Sequence, residues 1–305
     1  SCCCSPPAPL HTFTVMSLNI DGLTHEKLTA LDAYMHAHSV DVCHIQETQV
    51  ADIEPWFYNM GYNIFHRPPL AGKSGGCLTL VKKCWKSSQL PSYPGEGDTL
   101  WTRVDVGNEH YISANTYLRG QLTHEDYSEA LSDIQNRLSS MQSNRNYTML
   151  CGDVNYDESR PADANKAATT AKLLEDGDLF RVDLLPKLKS VPTHIPWQAH
   201  TATSHIDMLA LDVRLQCKMS DYDIDLDITE PLIPLSDHRP LWASFQLRAT
   251  KVPPPAPSIV FKVHTATPEH WEQAQCRLQK FSSEWLPHAQ HAASCCPVAA
   301  RSALA

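Results

Sequence analysis

Short polar motifs stand next to apolar, strand-like runs at six places in this chain. They are Asn19-Ile20-Asp21, Gln46-Glu47, Tyr117, Gly152-Asp153-Val154-Asn155, Ile206-Asp207 and Ser236-Asp237-His238. Buried strands that each end at a carboxylate, an amide or an imidazole on the same rim form a concave, acidic pocket rich in oxygen atoms. Such a pocket suits a hard divalent cation together with a phosphate ester. The chemistry that these residue types can perform is metal-assisted hydrolysis of a phosphodiester.

Carboxylates from three of the motifs can hold the cation. Glu47, Asp21 and Asp237 can bind it while leaving positions for water and phosphate. Taken singly, each motif also has a purely structural explanation, because Asp and Asn side chains commonly bond to their own backbone in turns. Six such motifs, far apart in sequence, make the structural explanation hard to maintain for all of them together.

The other polar residues can activate water and stabilise phosphate. Asp153 and Asn155 are two positions apart, so an extended backbone directs both side chains to one side, where they can orient a water and accept its proton. His238 can stabilise the pentavalent phosphate or act as an acid or base, and Asp207 can fix its tautomer. Tyr117 offers a further hydroxyl donor. A well-placed acid or base contributes roughly 10²–10⁴-fold, so several groups must act together.

Composition places limits on the partners. The chain has 305 residues, 42% hydrophobic and 19% charged, with a net charge of −9, so it is not a polybasic nucleic-acid binder. A DNA contact would need a local basic patch. Residues 55–95 contain no Asp or Glu but include Arg67, Lys73, Lys82, Lys83 and Lys86. Two explanations fit this stretch equally: a lysine-rich face in contact with solvent, or a surface that faces DNA.

Cysteine usage and hydropathy bear on the compartment. Cys43, Cys77, Cys84, Cys151 and Cys217 are scattered, mostly inside apolar runs, and no paired Cys-x-x-Cys motif is present to bind zinc. This pattern indicates free cysteines in a reducing, intracellular compartment. The sequence has no long apolar span, so no membrane association is expected.

Strands and helices alternate through most of the chain. Apolar runs predict strands at 13–18, 40–45, 77–81, 100–106, 111–117, 147–151, 206–211 and 241–247. Helical spacing predicts a helix after Gly22, a second capped by Thr123, and a third over about 162–175. Strands joined both by hairpins and by helices predict a mixed α/β protein, with two sheets packed face to face. We expect a leader at 1–11, the main domain at 12–248, a stiff Pro-rich linker at 249–258, and a short helical segment with a disordered tail at 259–305.

The motifs, in this order, resemble the endonuclease/exonuclease/phosphatase (DNase I-like) superfamily, and the resemblance covers about residues 12–248. It implies a four-layered αββα sandwich and a Mg²⁺ site, at which Mn²⁺ can substitute. It also implies a role for each residue. Glu47 is the principal metal ligand with Asp21 and Asp237 near the ion, and Asp153 activates water that Asn155 helps to position. Asn19 supports Asp153, while Asp207, His238 and Tyr117 hold the phosphate.

Within that superfamily the chain is most similar to apurinic-endonuclease-like domains of non-LTR retrotransposons. The run from Thr201 to Asp207, the Gly75-Gly76 pair and Val154 support this similarity, whereas Ser204 stands where dedicated repair enzymes often carry Trp. The expected activity is that of a DNA endonuclease, nuclear where chromosomal DNA is nicked. The missing initial Met and the Pro-rich tail agree with a place in a longer polyprotein. Arg119 and Lys73 are expected to contact the substrate backbone.

Two alternatives remain from the sequence. The first is a phosphatase or phosphodiesterase that acts on lipid headgroups or RNA 3′ ends, and the second is an inactive superfamily member kept as a binding module. A nuclease should have Lys73, Lys82, Lys83 or Arg119 at the rim of its site, and activity that falls steeply with salt. Three further histidines, His194, His200 and His205, match no zinc-binding spacing and stay unassigned.

Overall fold

Two six-stranded mixed sheets form the centre of the protein. The computed structural model describes residues 10–53, 61–69, 74–91, 97–198, 200–227, 229–230 and 232–248. All of them belong to the compact unit Ser1–Ala256. The expected linker at 249–258 and the segment at 259–305 lie outside the described residues. The first strand begins at Leu10, so residues 10 and 11 of the expected leader belong to it.

The first sheet carries both ends of the domain. Its strands are β1 (Leu10–Asn19), β2 (Val42–Gln46), β3 (Tyr62–Arg67), β4 (Cys77–Lys82), β11 (Met219–Ile224) and β12 (Leu241–Arg248). Their order across the sheet is β11-β12-β1-β2-β4-β3, with β1 and β2 parallel and the other pairs antiparallel. The parallel pair matters most, because it brings the ends of β1 and β2 to the same edge of the sheet.

The second sheet has a related arrangement. It contains β5 (Lys86–Gln89), β6 (Asp98–Val106), β7 (Glu109–Tyr117), β8 (Asn146–Asp153), β9 (Leu179–Arg181) and β10 (Asp207–Asp212). The order is β5-β6-β7-β8-β10-β9, and β7 and β8 are its parallel pair. The ends of β7 and β8 therefore meet at one edge, and β10 starts at that edge because it runs antiparallel to β8.

Helices cover the outer faces of both sheets. They are α1 (His25–Ala37), α2 (His124–Met141) and α3 (Ala164–Asp176). One apolar cluster joins α1 to the first sheet, a second joins α2 and α3 to the second sheet, and a third, with Phe13, Tyr111 and Phe245, lies between the sheets. These three interfaces separate four layers, which confirms the predicted αββα sandwich. Among the described helices, none combines the length and the apolar composition needed to cross a membrane.

A buried amide links the two sheets near the edge where β2 ends. Asn115, on β7, donates from Nδ2 to the carbonyl oxygens of Ile45 at 3.1 Å and Leu78 at 2.9 Å, both in the first sheet. Its Oδ1 accepts a hydrogen bond from Gln46 Nε2 at 2.7 Å. Because these groups are cut off from water, each bond satisfies an atom that would otherwise be costly to bury.

The structure agrees with all eight predicted strands and shows four more that the sequence patterns did not indicate. The four are β3, β5, β9 and β11, which are the edge strands of the two sheets. The predicted cap of α2 is also correct, since Thr123 Oγ1 accepts from the Asp126 amide at 3.1 Å. The described cysteines are free, as expected.

Candidate active site

All six polar motifs meet at one end of the two sheets. Asn19 ends β1 beside Gln46 at the end of β2, and the two are partners in the parallel register. Tyr117 and Asp153 are partners in the same way at the ends of β7 and β8. Asp207, the first residue of β10, pairs with Asp153 in the antiparallel register. The strand connections, rather than any local signal, place these side chains together.

Glycine is required beside Asp153 because two backbones approach closely there. Gly152 has φ +140°, and a Cβ at this position would lie 1.8 Å from the carbonyl oxygen of Thr116 on β7. A side chain would therefore force the two parallel strands apart. The glycine of the Gly-Asp-x-Asn motif thus allows the close pairing that sets Asp153 next to Tyr117.

Asp153 is held by groups from both sheets. Its Oδ2 accepts from Asn19 Nδ2 at 2.9 Å, across the gap between the sheets, and its Oδ1 accepts from the Asn155 amide at 2.8 Å. Only 2% of Asp153 is exposed. This burial, followed by the nearby Asp207 carboxylate, raises the pKa of Asp153 well above the usual range of a carboxyl group. Its proton affinity is consequently high for a carboxylate, as a proton acceptor requires.

A buried ion pair lies next to it. His238 Nδ1 is 2.8 Å from Asp207 Oδ2 and 3.1 Å from Oδ1. Burial would lower the pKa of His238, but the charge and hydrogen bond of Asp207 outweigh it and raise that pKa to about 9. The raised pKa favours the imidazolium form, and Asp207 engages Nδ1, so Nε2 is the nitrogen left to face a substrate.

Ser236 fixes the segment that carries His238. Its Oγ donates to the carbonyl oxygen of Asn19 at 2.8 Å and accepts from the His238 amide at 3.1 Å. The turn considered from the sequence is thus present and forms part of the site, since it ties the segment before β12 to the end of β1.

Two carboxylates lie together at a second point of the site. Gln49 Nε2 lies 3.4 Å from Asp21 Oδ1 and 3.3 Å from Glu47 Oε2, so these two carboxylates are close neighbours. Lys27 donates to the carbonyl oxygens of Ile20 and Asp21. Burial lowers the pKa of Lys27, against the opposing charges of Asp21, Asp237 and Glu47.

The backbone at this point is unusual. Asp21 has φ +47° and Glu47 has φ +51°, both in the left-handed region that residues other than glycine seldom adopt. Such conformations persist where the surroundings impose them, and they are concentrated at functional sites. The donor atoms are all hard oxygens, a set that fits a hard divalent cation such as Mg²⁺.

Tyr117 and Arg119 contact carboxylates. The Tyr117 hydroxyl is hydrogen-bonded to Glu47, and burial together with that bond raises the pKa of Tyr117. Arg119 Nη2 lies 3.3 Å from Asp98 Oδ2 and 3.3 Å from the carbonyl oxygen of Ser74. The remaining candidate, Lys73, lies outside the described residues.

Of the four cations considered for the rim of a nuclease site, Lys82 and Lys83 do not lie there. Gln46, next to Glu47, pairs with Cys77, whereas Val42 at the other end of β2 pairs with Val81. Because β4 runs antiparallel to β2, Lys82 and Lys83 lie at the end of the first sheet away from the site. Lys82 Nζ there lies 3.3 Å from Asp41 Oδ1.

Sequence patterns did not assign Gln49, Lys27 or His194 to the site. His194 Nε2 is 3.3 Å from Asp237 Oδ2, and its ring centroid is 4.8 Å from that of His238. Burial opposes the shift, but the His194 hydrogen bond and the charge of His238 lower the pKa of Asp237. No local spacing could reveal this, since 43 residues separate His194 from Asp237.

A second polar cluster lies behind the site. Asp183 is fully buried and contacts His205 Nε2 at 3.1 Å and Arg181 Nε at 2.9 Å. Burial lowers the pKa of His205, but the hydrogen bond and charge of Asp183 outweigh it, so the net shift is upward. Arg181, His205 and Lys189 line a cleft of about 450 Å³ that opens beside the segment after Asn155.

The two-sheet sandwich and its cluster of acids, amides and an imidazole define a DNase I-like hydrolase that acts on phosphoric ester bonds. The chain belongs to the Endonuclease/Exonuclease/phosphatase family, whose model matches residues 16–238. No curated protein matches the sequence.

Solved structures share the fold at low identity. An AP endonuclease from Archaeoglobus fulgidus is 19% identical with a TM-score of 0.60, and covers 77% of this chain and 100% of its own. The endonuclease domain of TRAS1, a telomere-specific non-LTR retrotransposon, is 15% identical with a TM-score of 0.58, at 78% and 100% coverage. The 3′ phosphatase NExo from Neisseria, bound to a product DNA hairpin, is 14% identical with a TM-score of 0.59, at 77% and 100% coverage.

Proposed function

We propose that this protein is a magnesium-dependent endonuclease that nicks DNA, of the type represented by AP endonucleases and the TRAS1 endonuclease domain. The observation that carries the proposal is the convergence of two pairs, Asn19 with Asp153 and Asp207 with His238, at the facing ends of the two sheets. In the proposed reaction, Asp153 is the proton acceptor and His238 is the cationic group that faces the phosphate.

Asp153 acts as the group that takes a proton from the attacking water. Asn19 and the Asn155 amide each use one lone pair of its two oxygens, so each oxygen keeps capacity to accept from water. Its raised pKa favours this role, because a general base works best when its pKa lies near the working pH. The Asn155 side chain, two residues on, helps to position the water.

His238 stabilises the negative charge that develops on the phosphate. Asp207 engages Nδ1, which fixes the ring orientation and keeps the imidazolium charged, so Nε2–H can donate to a phosphate oxygen. A group of this kind contributes roughly 10²–10⁴-fold to the rate.

Glu47, Asp21 and Asp237 are the residues that would hold the divalent cation. When bound, such a cation supplies Lewis-acid polarisation of the phosphoryl oxygen. Gln49 bridges two of these carboxylates and Tyr117 bonds to Glu47, and these contacts orient the oxygens in advance.

DNA as the substrate is supported by the likeness to AP endonucleases and to a phosphatase bound to a DNA hairpin. Cationic groups near the loop after β7 support it as well. Arg119 lies in that loop, and Lys166 on α3 donates to the carbonyl oxygen of Gly120 in the same loop. On a chain of net charge −9, a local group of this kind is what backbone contacts need. Nicking of chromosomal DNA would place the protein in the nucleus.

The test is cleavage by the full chain with Mg²⁺ and with chelator. Its substrates are supercoiled plasmid, an abasic duplex oligonucleotide, polyadenylated RNA and an inositol phosphate. We expect nicked plasmid or a cut abasic duplex with Mg²⁺, no product with chelator, and rates that fall steeply with salt. Asp153→Asn should lower the rate by about 10²–10⁴-fold, whereas Asp221→Asn, at an exposed position on β11, should leave it unchanged.

The other substrates decide against the proposal. Release of phosphate from the inositol phosphate, with intact plasmid and duplex, would identify a headgroup phosphatase. Shortening of the RNA alone would identify a 3′-end nuclease, and no product from any substrate would favour a binding module.

A further inference from the structure

We propose that His194, Asp237 and His238 form a binding site for a borderline transition-metal ion of the Zn²⁺ type, which shares Asp237 with the all-carboxylate position expected for Mg²⁺. One ligand atom from each residue lies within 4.8 Å of the other two. The site assigns a role to His194, which the hydrolytic reaction does not require.

The distances suit a tetrahedral ion. Around Zn²⁺, with metal–ligand bonds near 2.0–2.1 Å, neighbouring ligand atoms are about 3.3 Å apart. His194 Nε2 and Asp237 Oδ2 are already 3.3 Å apart, and His238 Nε2 lies 4.0 Å from Asp237 Oδ1. A small side-chain rotation closes the second gap. The two ring centroids are 4.8 Å apart, and one ligand atom of each ring lies within 4.8 Å of the other.

Each histidine is already oriented by a second partner. His194 Nδ1 is 2.9 Å from Ser204 Oγ, and His238 Nδ1 is 2.8 Å from Asp207 Oδ2. In metal sites the nitrogen that does not bind the ion typically donates to such a hydroxyl, carbonyl or carboxylate, which fixes the tautomer and the ring. Both rings thus direct Nε2 towards Asp237.

The backbone beneath the site is firmly held. His194 forms bridges to Ser204 and His238, and the Ile195 amide donates to the Asp237 carbonyl oxygen at 2.7 Å. The Arg239 amide donates to the carbonyl oxygen of Thr193, also at 2.7 Å. Ligands on a scaffold of this kind need little rearrangement to bind an ion.

The donor set selects the ion. Two imidazoles and one carboxylate suit Zn²⁺, Co²⁺ and related ions, whereas Mg²⁺ prefers oxygen ligands. Three protein ligands also leave a fourth position for water. With His238 Nε2 bound to a metal, that nitrogen could not donate to a phosphate. We therefore expect Zn²⁺ to inhibit hydrolysis in the presence of Mg²⁺, a consequence that rests on the proposed function, although metal binding itself does not.

The experiment measures binding directly. The full chain, with accessible thiols alkylated so that cysteines do not compete for the metal, is titrated with Co²⁺ and followed by visible absorption, and Zn²⁺ binding is measured by equilibrium dialysis. We expect about one equivalent with the intense visible bands of tetrahedral Co²⁺. His194→Gln should weaken binding at least tenfold, and the matched exposed control His200→Gln should not change it.

Several outcomes would overturn the site. Equal affinity and an equal spectrum in the wild type and His194→Gln would place the ion elsewhere, and the absence of tetrahedral Co²⁺ bands would reduce His194 to a positioning partner of Asp237. If His194→Gln fails to fold by thermal unfolding, Ser204→Ala keeps all three ligands and should weaken binding roughly 10–100-fold. Unchanged binding in Ser204→Ala would then count against the site. A protein that binds Co²⁺ as expected but cleaves none of the substrates would refute the proposed function and leave the metal site supported.

Discussion

The substitution Gly152→Ala tests the close approach of β7 and β8 on which the site depends. The added Cβ would lie 1.8 Å from the carbonyl oxygen of Thr116, a main-chain atom that can move only if the two strands separate. The backbone at φ +140° is also unfavourable for alanine. Backbone strain of this kind costs about 1–3 kcal/mol, and overpacking costs a further 1–3 kcal/mol or so. We therefore expect a loss of about 2–6 kcal/mol in the free energy of unfolding.

That loss is a large share of the roughly 5–15 kcal/mol that stabilises a typical domain. It should be visible in urea unfolding followed by circular dichroism, as a fall of the midpoint by about 0.7–2 M with a slope near 3 kcal/mol/M. Because Asp153 directly follows Gly152, any variant that folds should also lose turnover on the substrate that the cleavage assay identifies.

Gly97→Ala is the matched control. Gly97 has φ +58°, and a Cβ there would meet no atom within 4 Å, so the control carries the backbone cost without the collision. It should lose only about 1–2 kcal/mol. If both variants lose the same amount, the contact with Thr116 has been overestimated and the argument for this glycine fails.

Three further changes test other parts of the molecule. Asp153→Asn should lower kcat by about 10²–10⁴-fold with little change in KM, as measured by steady-state cleavage. Asn115→Leu leaves two main-chain carbonyl groups of the opposite sheet without their buried donor, so urea unfolding should show a loss of about 2–4 kcal/mol. For His205, Asp183 raises the folded-state pKa, so the pair contributes stability that is fully present below about pH 6.5 and is lost as the pH rises through that folded-state value. The difference in unfolding free energy between wild type and His205→Gln should therefore be larger near pH 6 than near pH 9.

Each of these has an opposing result. A change in KM alone for Asp153→Asn would remove it as the base. A stable Asn115→Leu variant would mean that water replaces the lost donor. A difference for His205→Gln that grows with rising pH would reverse the sign of the His205–Asp183 interaction.

Sequence patterns predicted the interior of the fold better than its margins. The eight predicted strands are rich in apolar residues because neighbouring strands and helices bury them, and those runs are visible without a structure. The four unpredicted strands lie at the sheet edges, where one side is free of a neighbour and burial is partial. In β5, for example, Lys86 and Gln89 are exposed, so nothing in the local pattern distinguishes the strand from a loop.

The candidate site shows the same division. Residues such as Asp153 and Glu47 were predictable because each directly follows or ends an apolar run, and the parallel pairing of such runs brings their ends together. Long-range placement was not predictable. Lys82 looked suitable by charge but lies at the opposite end of its strand, and His194 looked unassignable by spacing but meets Asp237 through the fold.

The hydrogen bond from Asn19 to Asp153 joins two parts of the candidate active site, one on each sheet of the sandwich. The catalytic rate should then depend on how closely the two sheets pack against each other. A substitution that leaves a cavity at Phe13 or Phe245, in the core between the sheets, should lower the catalytic rate. It should do so at temperatures where spectroscopy still shows a folded protein. The variant would lose activity at a lower temperature than the one at which it unfolds. The difference between these two temperatures would measure how far packing between the sheets can loosen before the protein unfolds.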